Sequence, residues 1–130
     1  MKLSNTAAGR VGDLLAAAAI ERLGGMPTIV RTDGCDIVAF FKGNWYRVEV
    51  KSAAKAERSS YQFIVGQGAG SKKPLTTKTS DILALVPTDI RMVYFYPVSE
   101  INQTTKRVAA RLFSPAAEKE TWLRTINLLK

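Results

Sequence analysis

Residues 35–52, Cys35-Asp36-Ile37-Val38-Ala39-Phe40-Phe41-Lys42-Gly43-Asn44-Trp45-Tyr46-Arg47-Val48-Glu49-Val50-Lys51-Ser52, decide how the chain is read. Two runs rich in β-branched and aromatic residues flank Gly43-Asn44, and both members of that pair tolerate positive φ. The stretch is therefore predicted to be a β-hairpin with a two-residue turn. With Gly43 and Asn44 as the turn, Lys42 faces Trp45, Phe40 faces Arg47, Val38 faces Glu49 and Asp36 faces Lys51. Side chains alternate along a strand, which sorts the two faces. Ile37, Ala39, Phe41, Tyr46, Val48 and Val50 form a core face. Asp36, Val38, Phe40, Arg47, Glu49 and Lys51 form the other. Asp36 and Glu49 become diagonal neighbours, with Cα atoms roughly 7–8 Å apart, close enough for both carboxylates to reach one ion. Lys51 lies beside them.

The plain alternative is a solvated face on which acids and bases alternate, since an Asp followed some dozen residues later by Glu-x-Lys is common. Two converging carboxylates and an ammonium opposite a fully apolar face favour a site. Asp36, twelve intervening residues and then Glu49-Val50-Lys51 resembles the motif of the PD-(D/E)XK nuclease superfamily. Over roughly residues 9–97 the chain looks most like archaeal-type Holliday junction resolvases and the PD-(D/E)XK homing endonucleases of group I introns. The resemblance implies an α/β fold, a mixed central β-sheet with flanking helices in a restriction-endonuclease-like core. It also implies that Asp36, Glu49 and the backbone carbonyl of Val50 bind Mg²⁺, for which Mn²⁺ can substitute. Lys51 would then orient the attacking water or stabilise the charge at phosphorus. The related nucleases carry a helical Glu in a pattern like Gly-x-x-Gly-Glu. Here Gly9-Arg10-Val11-Gly12-Asp13 is one methylene shorter, so Asp13 would reach the metal through water. Cys35 replaces the Pro of the family name.

Composition narrows the chemistry independently. The chain has no histidine and one cysteine, Cys35. Serine–histidine and cysteine–histidine catalysis, histidine-ligated zinc, thiolate clusters and internal disulfides are all excluded. Beside Asp36, Cys35 reads as a small buried hydrophobe. Hydrolytic chemistry must run on carboxylates, lysine and a hard metal ion. The net charge of +8 points to a polyanionic partner, nucleic acid before membrane. From Lys51 to Lys78 there are six basic residues against Glu57 alone, carrying five of those eight charges. Lys55, Arg58, Lys72, Lys73 and Lys78 are the candidate DNA contacts, able to follow phosphates without reading bases. No apolar run suits a membrane span or a signal peptide, so a cytoplasmic protein is expected.

In chain order, Ser4 or Thr6 is predicted to cap an Ala-rich helix to about Leu23, ended by Gly24-Gly25. Gly9, Asp13, Ala16, Ala17 and Ile20 line one side of it. Thr28 to Thr32 is a strand and Asp33-Gly34 a turn into the hairpin. Tyr61 to Val65, Asp81 to Val86 and Met92 to Tyr96 are further strands, with Arg107 to Phe113 as another. Residues 66–74 tease as a phosphate loop but fail both nucleotide-binding patterns, because residue 71 is Ser and residue 73 is Lys. Ser114-Pro115 opens a last helix whose Trp122, Ile126 and Leu129 pack on the sheet or across a dimer. The expectation is one nuclease domain over residues 1–130, acting as a homodimer or higher homo-oligomer. Its substrate is expected to be branched DNA. A site-specific duplex endonuclease and a non-catalytic nucleic-acid-binding module stand as alternatives.

Overall fold

The first helix, α1 (Asn5–Arg22), stops where two glycines release it. Gly24 takes φ +96°, the amide of Gly25 reaches back to the carbonyl of Ile20 (2.9 Å), and that of Gly24 to Glu21 (3.1 Å). This is the Schellman pattern, in which glycine lets the chain turn left-handed and pair the last carbonyls. The computed structural model describes residues 5–32, 35–67 and 71–130, so Ser4 and the Asp33-Gly34 turn lie outside it.

Five strands follow in one mixed sheet, in the order β1-β2-β3-β5-β6. They are β1 (Met26–Thr32), β2 (Cys35–Phe41), β3 (Asn44–Ala53), β5 (Ile82–Pro87) and β6 (Tyr94–Pro97). Only β3 and β5 run parallel. The chain between them crosses over through β4 (Ser60–Ile64), which pairs with β7 (Thr105–Ala109) in a separate two-stranded ribbon. The strand expected near Tyr61 is therefore real but lies outside the main sheet. The last helix, α2 (Pro115–Leu129), starts at Ser114, whose hydroxyl accepts from the Ala117 amide.

The two faces of the sheet hold two cores. On the helix side, Ala16, Ala19 and Ile20 of α1 and Trp122 and Ile126 of α2 pack on Ile37, Ala39, Val48, Ile82 and Phe95. Trp122 and Ile126 thus cover the sheet, with Leu129 at the margin. On the opposite side, Tyr61, Phe63 and Val108 of the ribbon cover Leu83 and Leu85, with Tyr94 and Tyr96 at the edge. Strand β5 is buried along its whole length because it has a layer on each side. The ribbon covers β5 and β6 and meets the end of β3, while towards the hairpin tip the same face leaves Met26, Thr28 and Trp45 exposed and Val38 and Phe40 half-buried.

The hairpin forms with a different turn from the one expected. Lys42 (φ +47°) and Gly43 (φ +86°) are the two turn residues, with both positive φ values of a type I′ turn. Glycine at the second position is the order such turns favour, and this choice sets Phe40 against Trp45. The pairs are Ile37 with Val48, Val38 with Arg47 and Ala39 with Tyr46. This is a slip of two residues from the predicted register. An even slip preserves the faces, so all six predicted core residues are buried. The neighbours change: continuing the register, Asp36 lies directly across from Glu49 rather than diagonal to it.

Candidate active site

The carboxylates meet where β2 begins and β3 continues beyond it. The Val50 amide donates to Asp36 Oδ2 (2.8 Å), so the Asp36 side chain occupies the place of a missing strand partner. A strand residue turns its N–H and C=O to the same edge, which puts the Val50 carbonyl on the Asp36 side as well. Glu49, 7% exposed, sits close enough to Asp36 to share a proton. Its pKa is pushed up to about 8, first by burial, then by the hydrogen bond with Asp36 and by that neighbour's charge. The charges of Lys51 and Asp13 also reach it, Lys51 lowering the value and Asp13 raising it. Asp36, Glu49, Lys51 and Asp13 are therefore one electrostatic unit.

Asp13 arrives from α1. Close approach of the helix to β3 depends on Gly12: a Cβ there would run into the Ser52 hydroxyl and touch Val50. Asp13 is buried and held by Arg31, whose Nε lies 3.0 Å from Oδ2. Burial raises the Asp13 pKa, the Arg31 hydrogen bond works against that, and the charge of Asp36 raises it further. Arg31 adopts φ +50° at the end of β1, a backbone region disfavoured for side chains. It was not foreseen, because an ion pair between a helix and the far end of the next strand leaves no periodic trace in the sequence.

A second unforeseen group anchors the crossover. Arg47 donates to both Asp81 carboxylate oxygens (3.1 and 2.9 Å) and to the carbonyls of Lys78 (2.9 Å) and Thr77 (3.0 Å). Its own amide donates to Asp81 Oδ2 (2.8 Å). Burial works to raise the Asp81 pKa, but these bonds outweigh it and hold the carboxyl below its ordinary value. The latch ties the basic segment to the strand that carries Glu49. Lys55, Arg58, Lys72, Lys73 and Lys78 are all exposed. Lys55 lines a shallow cleft of about 360 Å³ with Ala53, Ala54, Glu57, Gln62 and Ile64, just beyond the end of β3. Residues 68–70 of the Gly-rich loop lie outside the described part. Cys35 is buried, and burial pushes its thiol pKa up, as suits a packing role.

The donors at the strand end are all oxygens. Two adjoining carboxylates, with a carbonyl beside them, suit a small divalent cation that keeps several of its waters. Among the described residues no three His, Cys, Asp or Glu side chains converge to hold a metal, because Asp13 is turned to Arg31. The donor set thus fits a cation bound through two side chains.

No protein-family profile and no curated protein matches the sequence. Among solved structures, the fold is similar to that of a bacterial homing endonuclease, I-Ssp6803I, with a TM-score of 0.71. The likeness covers 82% of this chain and 79% of that one at 17% sequence identity, and it establishes a shared α/β fold. Among the described residues no helix is long and apolar enough to cross a membrane.

Proposed function

We propose that the chain is a metal-dependent endonuclease that hydrolyses phosphodiester bonds in DNA. The observation that carries this reading is the pairing of Asp36 with Glu49 at the end of β3, next to the Val50 carbonyl and Lys51. Two adjoining acids, Glu49 buried and Asp36 half-buried, destabilise the fold unless a proton or a cation separates them. Asp36, Glu49 and the Val50 carbonyl would hold Mg²⁺, or Mn²⁺ in its place, with Asp13 joining through water. Bound there, the ion supplies a Lewis acid for the scissile phosphate and a more acidic water. By holding the ion, Asp36 and Glu49 would fix where the phosphate sits. Lys51 places an ammonium beside it, orienting the water or countering the charge that develops at phosphorus. The exposed lysines beyond β3 would carry the flanking backbone.

The substrate is either branched DNA or a specific duplex sequence. The shape-reading basic surface favours the first, and the likeness to a protein described as a homing endonuclease gives the second equal weight. Breaking both strands takes two such sites, hence a homodimer or higher homo-oligomer acting in the cell interior.

The test is cleavage of a labelled four-way junction, a linear duplex and a single strand, with Mg²⁺ and with EDTA. Symmetric cuts in the junction alone mean a resolvase, and cuts at a rare duplex sequence mean a site-specific enzyme. Glu49→Gln should lower the cutting rate by ~100-fold or more while folding and DNA binding persist. Normal cutting by that variant would remove Glu49 from the site. DNA binding without cleavage of any substrate would make the chain a binding module.

A further inference from the structure

The sheet face opposite the helices continues past the carboxylates to the hairpin tip. By strand alternation and register it presents Met26 and Thr28 of β1, Val38 and Phe40 of β2, and Trp45 of β3 on the same side as Asp36 and Glu49. Met26 and Trp45 are each 65% exposed. The Trp45 and Phe40 rings lie 4.9 Å apart, tilted by 59°. With Met26 and Thr28 they line a shallow apolar concavity of about 290 Å³ that contains no acidic side chain. Lys42, exposed in the turn, holds its ammonium over the Phe41 ring (5.3 Å), on the other face of the hairpin. A cross-strand aromatic pair steadies a hairpin. That role does not require the ring of the larger partner to face solvent.

We propose that this concavity is a base-stacking platform, on which Trp45, backed by Phe40, takes the flat face of an unstacked or unpaired base of DNA laid along the open face. Glu49 lies four residue steps along β3 from Trp45, roughly 13 Å at about 3.3 Å per step. That is the length of about four stacked nucleotides. The base on Trp45 is therefore within about four nucleotides of the phosphate at the carboxylates. Every base offers a π-face, so the contact selects for an accessible base and not for its identity. Apolar side chains also wedge between base steps of a deformed duplex. The basic chain and the lack of acids in the concavity suit a polyanion. A second copy of the chain fits less well, because a stable dimer interface takes about 20–30 residues a side and this concavity offers four. The placement of the cut rests on the nuclease reading, whereas the stacking contact needs only that DNA binds.

The chain has two tryptophans, and Trp122 is fully buried, so the solvent-exposed emission belongs to Trp45. Fluorescence is followed in EDTA as a four-way junction, a single strand and a fully paired duplex are added. Quenching by the junction and the single strand well beyond that by the duplex is expected. Trp45→Phe should abolish the signal while keeping affinity within about threefold, and Trp45→Ala should weaken binding on the order of tenfold. Thermal melts of both variants separate lost stacking from a loosened hairpin, because a purely structural role would not quench wild-type emission. Binding without quenching, or full affinity in a folded Trp45→Ala variant, overturns the platform. A Trp45→Ala change that turns a dimer into a monomer in sedimentation, with DNA affinity unmoved, overturns it too and assigns the surface to a second copy. Quenching in a protein that cuts nothing with Mg²⁺ supports the platform while sinking the nuclease reading.

Discussion

Glu49 holds a carboxyl that is harder to ionise in the folded chain than in the unfolded one, and this gives its environment a signature in stability. Its ordinary value is 4.5 and its folded value about 8, so the folded state binds more protons between those limits. Stability is then fully present below about 4.5 and is lost as pH rises through about 8. Asp13, raised mainly by burial, acts in the same direction. In EDTA, the melting temperature is expected to fall from pH 5 to pH 8, and Glu49→Gln should flatten that fall. Mg²⁺ should restore stability most at the upper end, since the ion replaces the proton between the acids. A metal-free melting temperature that rises over this range would mean that Glu49 ionises freely and that the acids are not in contact. That Asp36, Glu49, Lys51 and Asp13 come close enough to interact was legible in the sequence. The hold of Arg31 on Asp13 was not, because it joins side chains eighteen positions apart on two different elements.

Element boundaries and faces were legible wherever one physical signal dominated. Strict alternation gave the core face of the hairpin, Gly24-Gly25 the end of α1, and Ser114-Pro115 the start of α2. The turn was misplaced by one residue because Gly43-Asn44 and Lys42-Gly43 can both supply positive φ, and cross-strand pairing chose between them. Phe40 against Trp45 is worth a few tenths of a kcal/mol to about 1 kcal/mol over mismatched pairs. That offsets part of the cost of a left-handed Lys42. The ribbon of β4 and β7 was illegible as a unit, since its pairing joins segments more than forty residues apart. So was the way α2 finishes the edge of the sheet. Glu118, buried on α2, accepts from the Val93 amide (3.0 Å) and from Arg22 (2.9 Å), while Thr121 accepts from the Phe95 amide (3.1 Å). These bonds satisfy edge groups that would otherwise offer a template to another strand. Glu118→Ala should cost about 1–3 kcal/mol, mostly for the stranded Val93 amide. The Arg22 pair adds little, because that side chain is 57% exposed. A denaturant midpoint shift at constant slope measures the cost, and Glu118→Gln should recover much of it. No shift in the alanine variant would mean that water takes over the bond.

Across the whole molecule, a mixed sheet with flanking helices was legible, and so was the positive charge; that both helices share one side of the sheet was not. Where that charge lies relative to the site depends on the crossover between β3 and β5, which the Arg47–Asp81 latch fastens to the sheet. Exposed Lys55, Lys73 and Lys78 all belong to this crossover. Replacing the three by alanine is expected to weaken DNA binding across sequences. It should also reduce the slope of log affinity against log salt by about 2 to 3, near 0.9 for each phosphate contact removed. An unchanged slope would route the DNA away from this segment. The hairpin also acts as a ruler for the molecule. Its arms set how far each acid lies from the turn, and a residue added to one arm alone turns that acid to the helix side unless a bulge absorbs it. One residue added to each arm keeps the acids paired but turns both inward. Only an equal, even lengthening of both arms leaves them face to face on the open side. Without a bulge, the twelve residues between Asp36 and Glu49 could therefore grow only in steps of four.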